Sequence, residues 1–165
     1  MRGLAILLFS LFFATPATAQ SPTRFATSPD APIVVSGQTI ILQELKNRAL
    51  LNGNAKLLQG DLSMTATTMT IIFDPKQGDQ AQDVFASNGV SVVDVKGQIS
   101  HADEAHYNVA AETLELTGNV RVENHNPDAQ LGTAQGQRLM INMRDGTSQI
   151  YSNAGSGRAR IQLKP

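Results

Sequence analysis

The sequence predicts an all-β chain, and three observations carry that expectation. Apolar residues recur with a period of two, turn residues punctuate the runs, and glycine-centred strand units repeat along the chain. The alternation is clearest where Ala105, Tyr107 and Val109, then Leu114, Leu116, Gly118, Val120 and Val122, are interleaved with His106, Asn108, Glu115, Thr117, Asn119 and Arg121. A strand with one buried and one wet face requires this pattern. Met69, Ile71 and Phe73 repeat it, as do Leu139, Ile141 and Met143. Residues Gln43 to Leu51 could be forced into a helix, but they lack an N-cap and fit the strand repeat better.

The first residues stand apart. Met1 and Arg2 precede an apolar run from Leu4 to Phe13, followed by Pro16 and the small residues Ala17, Thr18 and Ala19. A bilayer needs ~20 apolar helical residues, so a run of this length reads as a signal peptide over 1–19 rather than a membrane span. The polar, proline-containing stretch 20–32 is expected to be a flexible leader, and 33–163 the folded domain. Removal of the signal leaves 12 basic and 14 acidic residues, a net charge of −2. Such a balance argues against nucleic acid, whose capture needs a basic surface. The chain has no Cys, so it folds without disulfides and offers no thiolate chemistry.

Turn signals separate the apolar runs: Asp74-Pro75-Lys76-Gln77-Gly78, Ala110-Ala111-Glu112-Thr113 and Arg144-Asp145-Gly146-Thr147. Four segments align on a glycine: LLNGNAKL (50–57), FASNGVSVV (85–93), LELTGNVRV (114–122) and SGRARI (156–161). The glycines Gly53, Gly89, Gly118 and Gly157 are expected at bulges or bends, where a side chain would obstruct a neighbouring strand. A second strand follows each of the first three: 64–74, 100–110 and 134–144. A half-copy, 36–44, precedes the first. One unit cannot bury its own apolar face, so the units must stack into a common core. In the second unit the register stays open. Counting from Gly89 turns Phe85, Ser87, Ser91 and Val93 inward, whereas hydrophobicity favours Val84, Ala86, Val90 and Val92.

Residues suited to catalysis do not converge. His101 and His106, five apart on one strand, are expected on opposite faces, as are the adjacent Asp103 and Glu104. His125 lies in a turn signature before Asn126 and Pro127. Ser156 is not in a nucleophile elbow, and no phosphate loop, zincin helix or dinucleotide fingerprint occurs. The expectation is a binding protein without cofactor or metal, not an enzyme. The alternative of a different class is a structural or polysaccharide-binding β-solenoid; Trp is absent and Tyr107 and Tyr151 are the two tyrosines, which weighs against sugar stacking.

The segments LTGNVRVEN, LLNGNAKLLQGDLSMTATTMTIIFDP and ISHADEAHYNVAAETLELTGNV resemble the OstA-like repeat of the LptA family. The resemblance covers about residues 31–161. The fourth repeat departs from it, with Gly155-Ser156-Gly157 where Gly-Asn is usual. The resemblance implies a slightly twisted, open β-jelly-roll folded like a taco. It also implies a periplasmic carrier of lipopolysaccharide between the inner and outer membranes of Gram-negative bacteria. Its implied partners are lipopolysaccharide through its lipid A acyl chains, an inner-membrane-anchored LptC-like protein of similar fold, the N-terminal domain of the outer-membrane LptD-like translocon, and further copies end to end. An LptC-like protein would keep its N-terminal helix, which leaves that reading as the alternative. The lipid groove is expected along Met69, Ile71, Phe73, Ala105, Tyr107, Val109, Leu116, Val120, Leu139, Ile141 and Met143. Arg158, Arg160 and Lys164 are expected on a last strand, guarding its edge or meeting phosphates or an acidic partner.

Cleavage after Ala19 is the first testable outcome. Intact-mass analysis of protein recovered from the periplasm should show a chain starting at Gln20. A mass that retains residues 1–19 would point to an anchored protein instead.

Overall fold

The computed structural model describes residues 31–78, 80–94, 97–125, 131–152 and 158–163. The expected signal (1–19), most of the expected leader (20–30), Asn126 and Pro127, Ser156 and Gly157 of the fourth glycine segment, and Lys164 lie outside the described residues. The strands are β1 (Ile33–Ser36), β2 (Thr39–Gln43), β3 (Arg48–Gln59), β4 (Leu62–Phe73), β5 (Ala81–Val93), β6 (Gln98–Asn108), β7 (Thr113–Asn124), β8 (Leu131–Asn142), β9 (Thr147–Tyr151) and β10 (Arg160–Leu163). All pair antiparallel in one sheet, and β3 to β8 each pair with their neighbours in sequence. Among the described residues there is no α-helix. The stretch Gln43 to Leu51 holds one turn of 3-10 helix, Glu44–Lys46, before β3 begins. The left-handed Asn47 (φ 46°) ends that turn.

Each long strand is bent near its middle, and the bends decide the architecture. On β3, β5 and β7 the bend is a bulge of two consecutive left-handed residues: Gly53-Asn54, Asn88-Gly89 and Gly118-Asn119, with φ between 48° and 78°. Glycine and asparagine are the residues that tolerate this region at least cost. One extra residue on the bulged strand opposes each neighbour, so the register shifts at every bend. Obstruction is also real at two sites. A Cβ on Gly118 would sit 2.8 Å from the Cβ of Asp103, and one on Gly53 would sit 2.9 Å from the Cβ of Gln38. At Gly89 the space is open, so only its φ of 78° asks for glycine.

Folding at this line of bulges gives two layers. The first holds β1, the C-terminal halves of β3, β5 and β7, the N-terminal halves of β4, β6 and β8, and β10. The second holds β2, the complementary halves and β9. β1 with β2, and β9 with β10, thus act as the first and last bent strands, each interrupted at the bend. The expected half-copy before the first unit corresponds to this broken first strand. The layers touch inside: the Tyr107 hydroxyl on β6 donates to Gln59 Oε1 at the end of β3, 2.7 Å away and 48 residues distant in sequence. This is the open β-jelly-roll expected from the sequence.

The bulge also changes how faces are counted. On β3, β5 and β7 the buried positions step across the bend by four residues, as from Leu51 to Ala55. On β4 and β6 they step by three, from Ala66 to Met69 and from Ala102 to Ala105. An odd step reverses the alternation. His101 and His106 straddle it, so both face outward, contrary to the expectation of opposite faces. Asp103 and Glu104 sit within it and are both exposed. In the second unit Val84, Ala86, Val90 and Val92 are buried and Phe85 is 45% exposed, as hydrophobicity indicated. Counting from Gly89 misleads because its dipeptide runs Asn-Gly where the other two run Gly-Asn.

These contacts predict an order of sensitivity. Gly118→Ala meets both backbone strain and the Asp103 side chain at its root, and should destabilise by roughly 3 kcal/mol. Gly89→Ala meets strain alone, about 1 kcal/mol. Denaturant unfolding of the two variants checks the difference, and equal losses would contradict it.

Candidate functional site

The ladder carries inward-facing residues in rows from one end of the fold to the other. In the second layer one row runs Ile40, Leu51, Met69, Ala86, Ala105, Leu116, Leu139, Ile150. The next runs Leu42, Ala49, Ile71, Val84, Tyr107, Leu114, Ile141. The facing layer contributes Val35, Leu57, Met64, Val92, Ser100, Val122, Ala134 and Ile161. The triplets expected to match, Met69-Ile71-Phe73, Ala105-Tyr107-Val109 and Leu139-Ile141-Met143, therefore occupy corresponding stations on β4, β6 and β8 and just beyond them. Leu116 and Val120 on β7 share their interior. All eleven are buried except Phe73 and Val109, which are partly exposed at the rim.

The middle of this interior is packed by its own side chains, and its ends are open. Ile40 (50% exposed), Leu42 (59%) and Ile161 (58%) face inward on terminal strands that have no further strand beyond them among the described residues. At the N-terminal end the two layers part around a cavity of about 570 Å³. Ile33 and Val35 form one wall, and Ala49, Ile71, Phe73, Ala81 and Val109 the other. Sequence reading missed Ile33 and Val35, which follow directly on the proline-rich stretch. Ala31 and Pro32, assigned to the leader, lie against this cavity.

Polar groups interrupt the apolar interior at Ser100 and at a bonded pair, Gln59 and Tyr107. Gln59 is 1% exposed and Tyr107 is fully buried, and their hydrogen bond ties the layers together at the inner end of the cavity. Burial, and secondarily the charge of Glu112, push the Tyr107 hydroxyl up to about 12, so it remains a neutral donor at ordinary pH. Gln59 has counterparts at the same distance beyond the bulge, Asp94 after β5 and Asn124 at the end of β7. Asp94 Oδ1 accepts the backbone N–H of Gln98 at 2.8 Å. A polar residue thus recurs along the rim of the first layer, once per unit.

The outer faces are polar. His106 Nε2 lies 2.8 Å from Asp83 Oδ1, and its ring stacks on Phe85 at 4.4 Å between centroids. Arg138 pairs with Glu115, and Arg144 with Glu112 at 3.2 Å. Such exposed pairs are screened by water and contribute little to stability. Among the described residues no group of three or more His, Cys, Asp or Glu is placed to hold a metal ion, and no helix is long and apolar enough to cross a membrane.

Bent strands in tandem, two layers closed along one side, and an apolar interior emerging at unpaired edges together define an open-ended β-jelly-roll protein of the OstA-like kind. Residues 34–147 match the model of the family described as LptA/(LptD N-terminal domain) LPS transport protein, and the chain belongs to that family. In three dimensions the fold is similar to LptH, the LptA-homologous periplasmic component of the lipopolysaccharide transport device of Pseudomonas aeruginosa. The TM-score is 0.68 at 16% sequence identity, covering 85% of this chain and 99% of that one. By sequence the chain is 23% identical to an uncharacterized protein of Rhizobium meliloti (strain 1021), over all of this chain and 88% of the other.

The buried tyrosine has a signature in pH. Its folded-state value lies above that of an unfolded tyrosine, near 10. The stability this gives is therefore full below pH 10 and is lost as pH rises from about 10 through 12. The stability difference between wild type and Tyr107→Phe should fall by roughly 2 kcal/mol across that window. Denaturant melts of both proteins at pH 9 and near pH 12 measure it, and a constant difference would refute the assignment.

Proposed function

We propose that this chain is a periplasmic carrier of lipopolysaccharide, bridging the inner and outer membranes and holding the lipid A acyl chains in the interior between its layers. The observation that carries the reading is an apolar interior that is exposed at both ends of the fold and opens into a cavity at the first. A buried acyl chain gains ~0.8 kcal/mol per CH₂, so about a dozen carbons contribute on the order of 10 kcal/mol before ordering costs. A closed cavity would hold several such chains too tightly to release them. A cleft open along its rim lets a chain pass sideways to the next protein. The polar outer faces keep the carrier itself in water.

The same edges suit its partners. Among the described residues no further strand pairs with the outer edges of β1 with β2 and of β9 with β10, and such edges are the substrate of strand addition. An LptC-like protein at one end, the N-terminal domain of an LptD-like translocon at the other, or further copies of the chain would each extend the sheet and continue the groove. Arg158 and Arg160, beside the last edge, fit either protection of that edge or contact with lipid phosphates. Among the described residues the outer faces carry no ladder of aromatic rings of the kind a polysaccharide would stack on.

Photo-crosslinking residues distinguish an occupied groove from a dry core. Placed at Ile71, on the cavity wall, and at Ile141, deeper inside, they should crosslink lipopolysaccharide, with Ile71 the stronger. The same residue at Thr70 or Asn142, one position away and facing outward, should not. Equal crosslinking from both faces, or none from the inner one in folded protein, would leave the carrier without its site. Ile71→Asp should abolish carriage, because a carboxylate among acyl chains loses hydration and finds no partner; a thermal melt separates this from unfolding.

A further inference from the structure

The last bent strand is broken between β9 and β10, and a cavity of about 320 Å³ lies at that break, on the closed side of the cleft. β7 and β8 line it with Asn119, Arg121 and Gln135, and the chain just before and within β10 adds Arg158 and Arg160. Gln135 stands opposite both Arg121 and Arg160 in the ladder, so these two arginines flank it on one outward face. Neighbouring strands lie ~4.8 Å apart, which sets the two arginine backbones about 10 Å from each other, a gap that two arginine side chains span. β8 passes the end of β9 here as Gly136, where a Cβ would sit 2.7 Å from the carbonyl oxygen of Tyr151.

Three cations thus line one small cavity, and among the described residues no acidic side chain lines it. Asp103, beside the same bend, already accepts from Asn119 Nδ2 at 2.8 Å. Glu123 stands 3.9 Å from Arg121, and among the described residues neither Arg158 nor Arg160 has an ion pair. Like charges gathered in one place repel, and a multivalent anion relieves them. We propose that this cavity is a binding site for a phosphate-bearing anion, held between Arg121 and Arg160 with Arg158 and the carboxamide of Gln135 completing the contacts. Guanidinium forks match phosphate oxygens two at a time, which suits phosphate better than a monovalent ion. An anion held there ties β10 to β7 across β8 and stiffens the last edge of the sheet. The inference stands on this cavity and does not require the carrier reading. A dissolved phosphoester and a phosphorylated lipid headgroup offer it the same chemistry.

Pyrophosphate tests this by calorimetric titration into the full mature chain. It should bind about tenfold more tightly than inorganic phosphate, because its second phosphate engages a further guanidinium. Arg121→Gln and Arg160→Gln should each weaken it about tenfold, the loss of one charge-assisted contact. Lys56→Gln removes a cation from the same outward row, four strands from Arg121 and outside the cavity, and should leave binding unchanged. All three residues are exposed, so the substitutions spare the core. Amide exchange in β10 should slow when pyrophosphate is added, while that in β1 at the other end should not. Lipopolysaccharide added beforehand separates the two sources. Blocking by the intact lipid but not by its dephosphorylated form assigns the site to a lipid headgroup, and binding unaffected by either assigns it to a dissolved phosphoester.

Failure of the wild type to bind pyrophosphate would overturn the inference. So would an equal loss in Lys56→Gln and in the two arginine variants, since the overall field of the face would then account for the binding. Either result leaves the carrier reading standing, which the crosslinks at Ile71 and Ile141 test on their own.

Discussion

A strand can reverse which layer it belongs to only if its backbone turns sharply without losing its place in the ladder. Here that is achieved by two successive left-handed residues on every second long strand. The pair inserts one residue against both neighbours, and the register shifts that follow let six long strands bend along a common line. Everything else depends on this. Without the bends the chain would form a single broad sheet with one greasy face. With them the face closes on itself, and hydrophobic burial is satisfied without a second domain.

Much of this was visible in the residues. Strands with one wet face announce themselves by alternation, so the strand pairs, their turns and the matching triplets on β4, β6 and β8 could be read directly. The bulges were visible through their glycines. What hid was the other half of each bend. Ala66-Thr67-Thr68 and Ala102-Asp103-Glu104 carry no glycine and look like ordinary strand, yet there the inward step is three residues. That is why simple alternation puts His101 and His106 on opposite faces while the bend turns both outward. The Gln59–Tyr107 contact was equally illegible, because a bond across 48 residues follows from the closing of the layers and leaves no local pattern. Ile33 and Val35 carry too short an alternation, directly after Pro32, to stand out as a strand.

The packed middle and the open ends are in tension with each other. Side chains such as Leu51, Met64, Met69 and Leu116 fill the centre as completely as any core, which stabilises the protein in the absence of disulfides. A lipid passing along the whole groove would have to displace that packing or spread the layers. The rim is where spreading is least opposed. There the apolar residues are only partly covered, and the half-buried polar side chains Asp94 and Asn124 mark the boundary with water.

The pairing of each central strand with its sequence neighbours has a further consequence, in the order in which the fold comes apart. Each hairpin is held by the hairpin on either side, so cooperativity spreads along the stack as in a one-dimensional chain of coupled units. Among the described residues the terminal strands have one neighbour instead of two, and each is broken at the bend. They should open first and most often, and slow amide exchange should be confined to β4 through β7. A partner that adds a strand at either end supplies the missing neighbour. Assembly would then stiffen the whole stack, and the chain standing alone would be softest at its two ends.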